Sequence, residues 1–478
     1  MSGPQAVQAG ARVPNAPFPP SFRWGVATAS YQIEGAASED GRKPSVWDVF
    51  CSKPGAIRDK QSGIVACDHY HRFKEDVALM RRLGVSSYRF SVSWTRVLPD
   101  GLGKPNQAGL DFYKRLLDEL ATNGIAPLCT IFHWDFPQAL YERGGFCNRD
   151  SADWFAQYAD LLARTYGDRI KHWATQNEPQ CFIGLGLQVG MHAPGDKLPM
   201  ADVLKAAHNS MRAHGKAVAA LRASSRDARV GYVISTDVAQ PASDSAEDLE
   251  AARASMFAVT ERELFNNTWW LDPVLTGKYP EDGLALFGAD APSVPSKDLD
   301  EIRQPIDFVG LNIYAASRVR RGADGRPEEV PRGVGHPHSA VPWQPITPGC
   351  LYWGARLIHE RYRLPVAITE NGISTRDQVF LDGRVHDPQR IDCLHRYLLG
   401  LSRAVAEGVP VEGYWAWSLM DNFEWQEGYT ERFGLVYVDY PTQRRIPKDS
   451  FEWYREVVAT QGRSLLGATN VPVDRVTG

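Results

Sequence analysis

Short runs rich in Val, Ile and aromatic residues alternate along this chain with longer stretches in which apolar side chains recur every three or four residues. A Gly, Pro or Asn break separates most pairs. The strand-like runs are FRWGVATAS (22–30), SYRFSVSW (87–94), APLCTIFHW (126–134), KHWATQNE (171–178), RVGYVISTD (229–237), DFVGLNIYA (307–315), PVAITEN (365–371) and VEGYWAWSLMD (411–421). Leu110, Tyr113, Leu116, Leu117 and Leu120 form an apolar stripe that predicts a helix stopped by Gly124. Trp154, Phe155, Tyr158, Leu161 and Leu162 repeat the pattern before Gly167, and similar periodicity predicts helices near 76–83, 201–222, 247–265, 351–362, 388–407 and 449–460.

Right-handed crossovers place consecutive β/α units in a parallel sheet, and eight such units predict a single (β/α)8 TIM barrel of the α/β class with long βα loops forming an active-site mouth. An open doubly wound sheet is the alternative, but no G-x-G-x-x-G follows the first strand. The surplus length lies after several strands. Its clearest piece, Arg318–Trp343, is rich in Gly, Pro and Arg and reads as a surface loop or as part of a site entrance.

Composition narrows the partner more than the fold. The chain has 478 residues, 43% hydrophobic and 23% charged, with a formal net charge of −4. No Lys/Arg block suggests nucleic acid or an anionic membrane, which leaves a small molecule as the expected partner and a homo-oligomer as an open question. The first twenty residues lack the apolar core of a signal peptide and no run has the length of a membrane span, so a cytoplasmic location is expected. Seven cysteines without C-x-x-C spacing read as mostly buried thiols. CDHYHRF collects Cys67, Asp68, His69 and His71, but the spacing fits no usual zinc pattern and a structural role is favoured.

A barrel carries its reactive groups at the C-terminal ends of its strands. Those ends here hold Gln32 and Glu34, His133 and Trp134, Asn177 and Glu178, Asn312 and Tyr314, and Glu370 and Asn371, with Arg89 inside the second strand. The last strand runs through Trp417 towards Glu424 and Trp425. Pro179 is expected to hold Glu178 in an extended conformation. Glu178 and Glu370 stand out, because each ends an apolar strand beside an asparagine, where an unpartnered charge is costly. Two carboxyls sharing a cavity suit glycosidic bond cleavage, one as acid and one as nucleophile or base. Trp134, Trp417, Trp425 and Phe433 supply flat rings for the C–H faces of a sugar.

The chain resembles glycoside hydrolase family 1, the β-glucosidase family, from Phe18 to about Tyr454. The resemblance rests on FRWGVATASYQIEG, YRFSVSWTRVLP, FHWDFPQAL, NEP, HAPG, GLNIY, ITENG, WSLMDNFEW and RFGL in the family's order. It implies that Glu178 is the general acid/base and Glu370 the nucleophile, with Arg89 and Tyr314 contacting the latter. Gln32, His133, Asn177, Glu424 and Trp425 are implied to hold the sugar over Trp417, with Trp343 as the platform on the aglycone side. Gln176, Ile313, Cys350 and Met420 depart from the usual residues and are expected at most to tune the pocket.

These assignments imply a retaining mechanism with no metal or organic cofactor, with Glu370 kept ionised by Arg89 and Tyr314 and with carboxyls about 5 to 5.5 Å apart. The expected organisation is a flexible segment over 1–17, a catalytic domain over 18–465 and a tail over 466–478. A 6-phosphosugar is disfavoured because Glu424 would repel phosphate. A non-catalytic sugar binder is disfavoured because both glutamates are present.

Overall fold

The computed structural model describes residues 16–225 and 227–467, so the 1–17 segment and the 466–478 tail lie almost wholly outside the described residues. Eight parallel strands close into a barrel: β1 (Arg23–Ala27), β2 (Ser87–Ser91), β3 (Ala126–Phe132), β4 (His172–Asn177), β5 (Arg229–Ser235), β6 (Phe308–Asn312), β7 (Val366–Asn371) and β8 (Val411–Trp417). Each strand pairs with its neighbours in sequence, and β8 pairs with β1 from Arg23 beside Gly413 to Ala27 beside Trp417. The outer layer includes α1 (His69–Leu83), α2 (Gln107–Thr122), α3 (Ser151–Tyr166), α4 (Met200–Ser224), α5 (Ala246–Met256), α6 (Cys350–Tyr362), α7 (Pro388–Ala406) and α8 (Asp449–Ala459).

Two helices and one loop differ from the sequence reading. α1 starts at His69, so His69 and His71 lie in its first turn and do not precede it. α5 ends at Met256, nine residues before the periodic pattern does, and a second helix, Thr268–Thr276, follows with its Pro273 in the interior. Around 318–343, Ser317–Arg321 pairs with Pro327–Glu329 on one side and with Ala239–Pro241 on the other, so part of that segment is a small sheet outside the barrel.

The core has two compartments. Ala27, Leu128, Ala174, Val233, Phe308, Ala367 and Trp415 fill the barrel lumen, while a larger set, including Val26, Cys129, Trp173, Val309 and Ile368, packs against the helices. Strands buried on both faces read as unbroken apolar runs, which is why the pattern announced them. Gly310 is a case where only glycine fits, because a Cβ there would lie 2.5 Å from Val233 and 3.1 Å from Thr369 inside the lumen.

Candidate active site

Strand alternation alone would not deliver both glutamates to the lumen. On β4, Ala174 faces inward, then Thr175 bonds His214 and Gln176 bonds Ser210, both on α4 outside the barrel. Two successive outward residues require a slip, and the β4/β5 register shifts between Ala174 and Asn177, so Asn177 points inward again. On β7 the register against β6 shifts between Ile368 and Glu370. Ile368 faces the helices, and both Thr369 and Glu370 then reach lumenal partners on β6 or β2.

Those partners form one continuous network. Arg89, fully buried on β2, donates to Glu370 Oε1 and to Asn177 Oδ1, the latter at 2.5 Å. Tyr314, just past β6, donates its hydroxyl to Glu370 Oε2 at 2.8 Å. Asn312 Nδ2 donates to Glu178 Oε1 at 2.8 Å and to Asn177 Oδ1 at 3.0 Å, while Thr369 Oγ1 donates to Asn312 Oδ1 at 2.7 Å. Glu178 and Glu370 are 6% and 3% exposed, so neither charge is relieved by open solvent.

The conformation of Glu178 corrects the sequence reading. Its φ is +45°, in the left-handed region, and Pro179 does not hold it extended but caps the ten-residue π-type helix Gln180–Val189. Trp134 (φ +78°) and Trp425 (φ +51°) are also left-handed. Non-glycine residues pay for that conformation, and they persist in it where the surroundings over-determine them.

The same cavity end is walled by rings. His133 lies nearly parallel to Trp417, with centroids 5.8 Å apart at 17°, and to Trp425 at 6.0 Å and 22°. Trp425 also packs on Trp134 and on Trp47, each at 4.4 Å. Phe433 joins Trp417 in the lumenal cluster and touches Tyr314, with centroids 6.3 Å apart. Trp343, 56% exposed, stands edge-on to Tyr314 at 5.6 Å and therefore belongs to the rim. Gln32 donates to Asn422 Oδ1 at 3.0 Å and to the Phe423 carbonyl at 2.9 Å. Gln32 Oε1, His133 Nδ1 and Glu424 Oε2 are buried without a protein partner, an arrangement suited to a ligand rich in hydroxyls.

Electrostatics separate the carboxyls. Burial, then the Glu370 charge, raises Glu178 to about 8, against the hydrogen bonds it receives from Asn312 and Cys181. Burial raises Glu370 as well, opposed by the Arg89 charge and by hydrogen bonds from Arg89 and Tyr314. The expectation for Glu370 is therefore amended: its carboxylate is favoured relative to Glu178, while burial still lifts it above an ordinary carboxyl. Burial of its carboxyl and the neighbouring carboxylates raise Glu424 to about 8, which favours the neutral acid, able both to donate to and to accept from a hydroxyl. Repulsion of phosphate by a charged Glu424 thus loses its basis. His133 is kept neutral by burial and by Arg89.

Other sequence expectations resolve as structure. Glu34 accepts from Arg96 at 2.9 Å and from Tyr113 at 2.6 Å. His69 bonds Asp76 at 2.8 Å, and Arg445 donates to the same carboxylate. All seven cysteines are free, five of them buried. Ile313, Cys350 and Met420 lie in the outer core and Gln176 faces α4, so these departures do not line the pocket. Sequence reading passed over Thr369, Cys181, Asn422 and Trp47, since a threonine, thiol, amide or indole within an apolar run carries no signal of its neighbours.

Paired carboxyls at the lumenal ends of β4 and β7 in a closed (β/α)8 barrel, walled by indoles, define a glycosidase. Comparison with known proteins names the class further. The model of glycosyl hydrolase family 1 matches residues 14–463, and the chain belongs to that family. Beta-glucosidase A of Thermotoga maritima is 46% identical over 452 residues, 93% of this chain and 98% of that protein. A 1,4-beta-D-glucan glucohydrolase of Thermotoga neapolitana is 45% identical over 452 residues, 93% of this chain and 99% of that one. The solved beta-glucosidase from Thermotoga maritima in complex with glucoimidazole aligns with a TM-score of 0.86 at 45% identity, covering 94% of this chain and 100% of that chain. The protein is an enzyme, a glycoside hydrolase.

Proposed function

We propose that the protein is a retaining β-glucosidase that removes terminal non-reducing β-D-glucosyl residues from cello-oligosaccharides or from aryl and alkyl β-glucosides. The observation that carries this reading is the unequal treatment of two buried carboxyls in one network: Glu370 is gripped by Arg89 and Tyr314, and Glu178 meets only an amide and a thiol. The names of the relatives support glucose as the sugar.

In the first step a Glu370 oxygen attacks the anomeric carbon while Glu178 gives its proton to the departing glycosidic oxygen. The C–O bond to the aglycone breaks, an ester forms, and the charge is lost from Glu370. With that charge gone, the repulsion that adds to burial in opposing Glu178 ionisation disappears. Glu178 then accepts a proton from water, which attacks the same carbon, releases Glu370 as a carboxylate and gives the sugar with its original configuration. Gln32, His133, Trp134, Asn177, Asn312, Trp417, Glu424, Trp425 and Phe433 form the sugar subsite in this reading, and Trp343 at the rim carries the aglycone.

Residues 18–465 act as one catalytic unit in this reading. Among the described residues no helix is long and apolar enough to cross a membrane. The free thiols support a reducing compartment, the cytoplasm, as its location. Comparing kcat/KM across 4-nitrophenyl β-glucoside, β-galactoside, β-fucoside, β-glucoside 6-phosphate and cellobiose tests the substrate. The glucoside is expected to lead the panel; preference for the 6-phosphate would overturn the assignment. Glu370→Ala is expected to lose turnover and regain it with azide or formate, which a sugar-binding protein without catalysis could not show.

A further inference from the structure

The hydrogen-bond network fixes which oxygen of Glu178 carries its proton. Arg89 has only donors, so the Asn177 atom that it meets at 2.5 Å is the carbonyl oxygen. The Asn312 atom 3.0 Å from that oxygen must then be its NH2, and the same nitrogen lies 2.8 Å from Glu178 Oε1. Oε1 is therefore an acceptor in every state, and the proton of the neutral carboxyl sits on Oε2. The protein atom bonded to Oε2 is Cys181 Sγ, 3.4 Å away. Cys181 lies three residues on, at the start of the π-type helix, where its N–H bonds the Glu178 carbonyl at 2.9 Å.

Building on the acid/base reading of Glu178, we propose that Cys181 is a positioning residue for that carboxyl: its S–H donates to Oε2 whenever the proton has left. The thiol would then stabilise the carboxylate needed to activate water in the second half-reaction, with no bond to sulfur formed or broken. A thiol is a weak donor, which suits a group that must release and recover a proton in each turnover. The other titratable or charged groups acting on Glu178 are Glu370 and Arg89, and Tyr314 and Glu424 feel its charge in turn. None of these bonds Oε2, so removing the thiol isolates its effect.

The test is the pH dependence of Cys181→Ala and Cys181→Ser, followed with 4-nitrophenyl and 2,4-dinitrophenyl β-glucosides. In Cys181→Ala the basic limb of kcat/KM for the 4-nitrophenyl substrate is expected to move up by about half to one pH unit. The kcat for the dinitrophenyl substrate at pH 6, limited by breakdown of the ester, is expected to fall about 3- to 10-fold, while its kcat/KM, which needs no acid, stays level. In Cys181→Ser, whose hydroxyl is a stronger donor, the limb should sit at or below that of the parent and kcat should recover. A Cys181→Ala profile that overlays the parent's would overturn the proposal. Should that variant not fold, a Cys181→Ser limb above the parent's would overturn it equally.

Glu178→Ala separates the two readings. If its basic limb survives, the acid/base assignment fails and the Cys181 proposal with it. If that limb vanishes while Cys181→Ala matches the parent, only the thiol's role is refuted.

Discussion

Glu178 is a residue whose backbone and side chain are both held away from their ordinary states: φ is +45° and the carboxyl is lifted to about 8 by burial and by Glu370. The sign of the resulting pH dependence follows directly. The first step needs Glu178 protonated, so kcat/KM is expected to be lost as pH rises through roughly 8. It also needs Glu370 ionised, and because burial raises that group too, activity should fade on the acid side above the ordinary carboxyl range. A bell-shaped profile with those limbs is expected, reporting the pair and not either residue alone. In Glu178→Ala the basic limb should disappear, and kcat/KM for a 4-nitrophenyl glucoside should fall about 100- to 10,000-fold with less effect on kcat/KM for a dinitrophenyl one. The positions of both glutamates were legible in the sequence, because a carboxylate closing an apolar strand is costly without a purpose. Their protonation was not, since it depends on Arg89, Asn312, Tyr314 and Cys181, which lie close only in the folded chain.

At the scale of elements, the apolar runs announced every barrel strand, and helical periodicity announced most of the outer layer. What the pattern could not carry was the pair of register slips on β4 and β7, which break the two-residue alternation and turn Asn177 and Glu370 inward. Nor could it show how the loop after β8, which bears Glu424 and Trp425, is held. There Asp421 accepts from Arg432 at 2.6 Å and from Lys448 at 2.7 Å, and Lys448 also donates to Asp377 at 2.5 Å. Arg390, at the start of α7, reaches Asp377 at 2.9 Å and the Arg432 carbonyl at 2.6 Å. Lys448 is 1% exposed, so Lys448→Met would leave two carboxylates facing each other without that cation. A loss of about 3 to 5 kcal/mol is expected in denaturant unfolding; a loss under about 1 kcal/mol would show that the network is dispensable.

The whole molecule bears a cost for its site. Glu424 is half-buried, with its carboxyl withdrawn from solvent near Glu370, Glu431, Glu178 and Glu427, and is raised to about 8. Its folded pKa lies above the unfolded one, so the unfolded chain loses this proton first as pH rises. The penalty is absent below the ordinary carboxyl value, grows through the neutral range and is complete above about 8. Glu424→Gln, which keeps an amide in place of the acid, is expected to raise Tm at pH 8, with the gain vanishing near pH 4 even as sugar affinity falls. A gain that is independent of pH would place the origin elsewhere than in the carboxyl's ionisation.

Retention requires that Glu370 attack one face of the anomeric carbon and that Glu178 then direct water to the opposite face. Proton NMR of the first sugar released from a β-glucoside, recorded before mutarotation, tests this most directly. The account predicts that the β anomer appears first and the α anomer only later as equilibrium is reached; an initial α signal would contradict it.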